Sequence, residues 1–245
     1  MIVAITGVSC SGKTPLAYQL PGVYFDVMIS HTDRPQRPGE IPGFDYHFTS
    51  IEEMDQLISE GEFIEHTTFC GYRYGLSVNA LLSTEKFPVH VCSPSGMKAL
   101  RDWADETKTP FIAVFCYADS GLVIKRMMSR WQKDKNLQTD YLAKRLASAL
   151  VDEPSWSGEY QYLVDQPDDI NATCIALGKL AHSGNPSPPA RHYDYSVPYD
   201  MADIEEYLSS VLRSLSRPRN HDSVTAASFE LQRHWDIFIG SKYCA

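Results

Sequence analysis

The chain has 245 residues, enough to bury a sizeable core as one domain or as one domain carrying an inserted lobe. With 43% hydrophobic and 22% charged residues it reads as a soluble globular protein, and no apolar run approaches the roughly eighteen residues of a membrane span. A net charge of −9 argues against a surface built to grip polymeric nucleic acid, which relies on clustered Lys and Arg. The six cysteines, at 10, 70, 92, 116, 174 and 244, form no C-x-x-C pair, and no signal-peptide pattern stands at the N-terminus, so reduced thiols in a cytoplasmic setting are expected.

Short apolar runs alternate with amphipathic stretches, the pattern of an α/β fold. Strands are expected at Ile2 to Thr6, Val27 to Ser30, Glu62 to His66, Val89 to Ser93 and Phe111 to Tyr117. Helices are expected over 13–20, 51–60, 77–84, 95–105, 119–132 and 138–151. Farther on, Ile204, Tyr207, Leu208, Val211, Leu212 and Leu215 share a helical face behind a capping Asp200. The stretch HSGNPSPPARH, 182–192, is a Pro/Gly/Ser loop that interrupts regular structure.

The stretch GVSCSGKT, 7–14, matches G-x-x-x-x-G-K-[ST] and follows directly on the first strand. Its glycines let the backbone N–H groups face phosphate oxygens, and the helix opening near Lys13 adds its positive end. Gly7, Ser9, Cys10, Ser11, Gly12, Lys13 and Thr14 form the expected ATP phosphate loop, with Lys13 on the β and γ phosphates and the Thr14 hydroxyl on Mg²⁺. Pro15 is compatible with the first helical turn. The Cys10 thiol is expected either to react with alkylating agents or to be an inert filler of the loop.

A phosphate loop alone serves kinases, ATPases and GTPases alike. The next segments narrow the choice. ISHTDRPQRPGEIPGFDYHFTS, 29–50, offers Arg34 and Arg37 to a phosphate dianion with Tyr46 as a hydroxyl donor, and EFIEHTTFCGYRYG, 62–75, adds Glu65 and Tyr74. Taken singly, each has an ordinary alternative as a solvated surface residue.

Together these segments resemble the guanylate kinase family. Its S-x-T-T-R-x-x-R-x-G-E-x-x-G-x-D-Y-x-F run is matched by Ser30, Thr32, Arg34, Arg37, Gly39, Glu40, Gly43, Asp45, Tyr46 and Phe48. Its F-[IL]-E-x-x-x-[FY]-x-G-x-x-Y-G run is matched by Phe63, Ile64, Glu65, Phe69, Gly71, Tyr74 and Gly75. The resemblance implies a P-loop NTPase fold, a parallel sheet flanked by helices, with an inserted lobe that binds a nucleoside monophosphate (NMP) and a helical lid. It places the core at 1–30 and 86–217, the NMP-binding lobe at 31–85, the lid at about 119–150, a Pro-rich insertion at about 166–192 and an appendage at 218–245. It further implies that Arg34, Arg37, Tyr46 and Tyr74 hold the acceptor's phosphate and that Ser30, Glu65 and Ser77 read its base, with Glu40 and Ser93 in the same acceptor set.

Guanine presents N1–H and an N2 amino group side by side, which one carboxylate accepts together, whereas adenine would leave a buried Glu65 unpaired at about 1–3 kcal/mol or more. Downstream, Arg126 and Arg130 lie four apart on one expected helix and Arg145 on the next. On their own they read equally as solvated faces of a helical hairpin. The resemblance makes them lid arginines that, with Lys13 and Mg²⁺, neutralise the transferring phosphoryl group.

The departures from the pattern concern the acceptor side. Where the family has L-D-I-D-x-Q-G this chain has HVCSPSG, 90–96, so Val91 and Ser93 replace two aspartates. Asp33 replaces a threonine beside the expected phosphate grip, and Leu76 replaces a small polar residue. The expected activity is ATP-dependent phosphorylation of a nucleoside monophosphate, foremost GMP or dGMP. Alternatives are a kinase for another or modified-base nucleotide of the kind some phages need, a non-catalytic scaffold, and a kinase acting on a base within DNA, which the acidic charge disfavours. The intact phosphate loop speaks against a scaffold. The last core strand is expected at either 159–170 or 192–204, and neither ribose preference nor oligomeric state is legible.

Overall fold

The apolar run Ile2–Gly7 (β1) is buried at every position, which is possible only for the central strand of a sheet covered on both faces. A computed structural model describes residues 1–37, 39–69, 71–118, 122, 123, 125–127, 129, 157–164, 167–183 and 191–194. They fall into two compact units. The first holds 1–7 and the described residues of 11–117 and 157–193, and the second holds Val8–Cys10, the described residues of 118–129 and Asp194.

In the first unit, β1 is followed by a short helix, Lys13–Gln19 (α1), and by strand Phe25–Val27 (β2). The expected strand at Val27 to Ser30 thus lies slightly earlier. His31–Thr32 (β3) and His47–Phe48 (β4) lead into helix Ile51–Ser59 (α2), whose start carries a reciprocal capping box of Ser50 and Glu53. Phe63–Phe69 (β5) and Tyr72–Ser77 (β6) form a hairpin, followed by Val78–Leu82 (α3). Phe87–Val91 (β7), Pro94–Glu106 (α4) and Phe111–Cys116 (β8) return to the core. Farther along the chain come Ser157–Tyr160 (β9), Tyr162–Val164 (β10), helix Pro167–Ser183 (α5) and Arg191–Asp194 (β11).

The main sheet runs β10-β8-β1-β7-β2 and every pairing in it is parallel. Its order reverses at β1, whose two neighbours come from later in the chain, and the loop after β1 therefore opens at the switch point where α/β folds bind ligands. Gly7, at the end of β1, has φ +139°, and a Cβ there would overlap the carbonyl oxygen of Cys116 on the paired strand, so only glycine lets the chain turn out of the sheet. The second sheet, β4-β3-β6-β5, belongs to the inserted lobe. This is the expected P-loop arrangement of a parallel sheet with flanking helices.

The competing positions for the last core strand are resolved in favour of the earlier one: Tyr162–Val164 pairs with Val114–Cys116 at the edge of the parallel sheet. The later one contributes only β11, which pairs with β9 in a separate two-stranded sheet, while 195–204 lies outside the described residues. The Pro-rich insertion expected at 166–192 is corrected accordingly, because 167–183 is a core helix. Ile170, Cys174, Leu177 and Ala181 recur at helical spacing and pack with Leu16, Ala17 and Leu20 of α1 against the sheet. We therefore expect Leu177→Ala, at a fully buried position, to cost about 2–5 kcal/mol in a denaturant melt, where a residue of an external loop would change stability by less than about 0.5 kcal/mol. The lid segment over 138–151, Arg130, Arg145, the helix behind Asp200 and the appendage 218–245 lie outside the described residues.

Candidate active site

The phosphate loop combines backbone twists with small side chains. Gly12 has φ +109° and Cys10 φ +63°, the left-handed conformations that turn successive N–H groups to one side. Ser9 and Ser11 are buried, and Ser11 Oγ has no protein partner. Lys13 Nζ donates to the Gly7 carbonyl at 2.5 Å, so the ammonium folds back over the start of the loop. Thr14 is exposed in the first turn of α1. A single hydroxyl oxygen open to ligands suits Mg²⁺, which keeps several waters and takes phosphate oxygens for the remainder of its shell. Thr14 fits that role.

Arg126, in the helical stretch beyond β8, donates from Nη1 to the Cys10 carbonyl at 2.7 Å. The first expected lid arginine is thus held against the phosphate-loop backbone.

The four cysteines among the described residues are all free. Burial pushes the Cys116 thiol up to about 12 and Cys92 well above its ordinary value, the latter helped by the Glu65 charge. Neither forms a thiolate near neutral pH. Peptide mass spectrometry after brief iodoacetamide treatment of the native protein is therefore expected to find Cys92 and Cys116 unmodified, with labelling at the part-exposed Cys10.

In the lobe, Arg34 is 4% exposed. Its Nη2 donates to Glu40 Oε1 at 2.7 Å and its Nη1 to the Pro35 carbonyl at 2.7 Å, while the guanidinium lies 5.3 Å from the Tyr46 ring centre and 5.7 Å from that of Phe48. The second Glu40 oxygen accepts the Arg37 backbone N–H at 2.8 Å. Burial alone would raise the Glu40 carboxyl, but the hydrogen bonds and charges of Arg34 and Arg37 outweigh it, and its pKa falls below the ordinary value. Glu40, one of the residues expected in the acceptor set, thus joins the Arg34 side chain to the Arg37 backbone. Tyr46 and Tyr74 meet edge to face at 5.8 Å, which brings together the four residues expected at the acceptor phosphate.

Asp33 does not oppose that grip. Arg73, three residues after Cys70 on β6, takes both its oxygens, with Nε at 2.6 Å and the backbone N–H at 2.7 Å, and also pairs with Asp55 of α2. Asp33 just after β3, Asp55 of α2 and Arg73 of β6 are thereby paired with one another, and α2 is fastened to the sheet.

Among the expected base readers, Ser30 is partly buried. Ser77 and Ser93 are the N-caps of α3 and α4, accepting the N–H groups of Ala80 and Gly96. Ser93 Oγ also lies 3.0 Å from Ser95 Oγ, which is 3.5 Å from Thr67 Oγ1. Glu65 is 6% exposed, and its Oε1 lies 2.9 Å from Nε2 of His90, a residue 1% exposed on β7. Its Oε2 has no protein partner. Sequence reasoning missed His90 and Arg73. The available signal was a lone histidine in the apolar strand FPVHV and an arginine appearing in β6 together with the unusual Asp33. A cavity of about 470 Å³ lined by His31, His47, Phe48, Glu53 and Gln56 among others includes none of the residues expected at the acceptor.

Among the described residues no helix is long and apolar enough to cross a membrane. Comparison with known proteins agrees with the geometry. The family model described as guanylate kinase matches residues 2–183. The chain is 30% identical to a guanylate kinase of Alkalilimnicola ehrlichii over 72% of its own length and 85% of that protein's. It is 30% identical to one of Methylococcus capsulatus over 74% and 85%, and 33% identical to one of Sus scrofa over 62% and 77%. A parallel sheet that opens into a phosphate loop, a lobe that gathers two arginines and two tyrosines, and a match over most of its length show that the chain belongs to the guanylate kinase family, the ATP-dependent nucleoside monophosphate kinases.

Proposed function

We propose that the protein transfers the γ-phosphoryl group of ATP to GMP or dGMP, giving ADP and the corresponding diphosphate. The observation that carries the acceptor choice is Glu65: a buried carboxylate with one oxygen lacking any partner, in the same lobe as Arg34, Tyr46 and Tyr74. A buried acceptor oxygen without a donor is costly, and a purine N1–H satisfies it.

The reaction needs positioning and charge more than covalent help. An oxygen of the acceptor phosphate attacks Pγ, the bond from Pγ to the bridging oxygen of the β phosphate breaks, and ADP leaves with that electron pair. Arg34 and Arg37 hold the acceptor phosphate, with Tyr46 and Tyr74 as hydroxyl donors, and Glu40 keeps both arginines in place. Lys13 leaves the Gly7 carbonyl for the phosphates of ATP, and Arg126 helps balance the charge on the transferring group. Mg²⁺, when held by Thr14 and the phosphates, would neutralise developing negative charge. Arg130 and Arg145 are assigned to the lid by resemblance, and closure there would exclude water and so suppress hydrolysis.

A second reading, a different or modified acceptor base, is favoured by Val91 and Ser93, which leave β7 and the start of α4 without carboxylates. A panel of ribo- and deoxynucleoside monophosphates with ATP and Mg²⁺, followed by ADP release, separates the two. Turnover greatest with GMP or dGMP is expected, and inactivity with both while another acceptor turns over would overturn the guanine assignment.

A further inference from the structure

His90 is the group that this base site contains in place of further carboxylates. It projects from β7 on the face opposite Val89 and Val91, which pack on the α1–α5 side, and so reaches Glu65 on β5. A carboxylate only accepts, so Nε2 of His90 carries the hydrogen in this pair. The donation uses Glu65 Oε1 and fixes the carboxylate's rotation. Oε2 remains, buried and unpartnered, 2.6 Å from where a Cβ at Gly96 would stand, so the absence of a side chain at 96 is what leaves it room.

Farther along β5 and at the start of α4 stand hydroxyls: Thr67, two residues on from Glu65, and Ser95 and Ser93, linked to one another by contacts of 3.5 and 3.0 Å, while the Cys92 thiol lies near enough to feel the Glu65 charge. Hydroxyls differ from carboxylates in what happens when a ligand donor is missing. A carboxylate left unpaired carries its full desolvation cost, whereas Ser93 and Ser95 already satisfy one another and lose little. With one carboxylate oxygen open, the site requires one ring N–H. Among the described residues it has no second carboxylate that depends on the exocyclic amine.

Resting on the reading of the site as a purine monophosphate kinase, we propose that His90 sets base selectivity by occupying one oxygen of Glu65. The enzyme then phosphorylates 6-oxopurine nucleotides that lack the 2-amino group, IMP and dIMP, nearly as well as GMP and dGMP. The chemistry of transfer is the one given above, with the acceptor changed only at C2. His90 is a positioning residue, acting through Glu65.

The test is the ratio of kcat/KM for GMP to that for IMP, and for dGMP to dIMP, in the full-length wild type, His90→Leu and His90→Gln. The wild-type ratio is expected within about tenfold. His90→Leu frees Oε1 for guanine's second donor and is expected to raise the ratio at least about fivefold through KM, with the KM for ATP unchanged. His90→Gln, which still offers an N–H to Glu65, is expected to keep the wild-type ratio. A wild-type preference for GMP beyond about tenfold, or equal ratios in the Leu and Gln variants, overturns the proposal. Should His90→Leu fail to fold, the wild-type ratio and the Gln variant still decide. Absence of turnover with any purine monophosphate would instead overturn the proposed function itself.

Discussion

Replacing Lys13 by methionine is expected to lower kcat by about a thousandfold while leaving the thermal midpoint nearly unchanged. The side chain is only partly buried and donates to the Gly7 carbonyl, outside the apolar core that holds the sheet together. In the proposed reaction it is the cation that the phosphate loop offers to ATP. Methionine keeps length and flexibility and removes only the charge. Single-turnover rates with saturating ATP and GMP measure the effect, and a loss below about tenfold would show that the loop does not act as the donor site.

The second large effect is expected at Arg34. Arg34→Ala removes the group proposed to hold the acceptor phosphate and leaves Glu40, whose side chain is 17% exposed, without its strongest partner. Loss of one member of a buried pair costs about 3–5 kcal/mol, here partly offset because Glu40 keeps the Arg37 N–H and some solvent. The KM for the acceptor is expected to rise about a hundredfold while the KM for ATP stays within about twofold. Arg34→Lys is expected to recover little, since an ammonium cannot bridge Glu40 and Pro35 from two nitrogens and still stack beside Tyr46. Equal changes in both KM values would place Arg34 in general lobe stability instead.

What was legible in the sequence is what lies consecutively along it. The phosphate loop, the arginine pair with Glu40 and the β5–β6 hairpin are local runs, and residue order alone specifies them. The pairs that tune the acceptor side join distant strands: Glu65 with His90, 25 positions apart, and Asp33 with Arg73, 40 apart. No spacing rule connects such residues before the strands are placed. Asp33 was thereby read without its partner Arg73, and Glu65 without the histidine that takes one of its oxygens. Helix α5 was misjudged for another reason. Its apolar residues do recur at helical spacing, but the tyrosine-rich runs on either side of it compete as the last strand, and only the pairing of Tyr162–Val164 with β8 decides between them.

The central claim is transfer between two nucleotides, and it is tested most directly by following the label from [γ-³²P]ATP in the presence of Mg²⁺ and GMP. The account predicts that the label appears in GDP at a rate well above its appearance as inorganic phosphate, and that Lys13→Met abolishes both. Label found only in inorganic phosphate, or retained in ATP with every nucleoside monophosphate supplied, would contradict it.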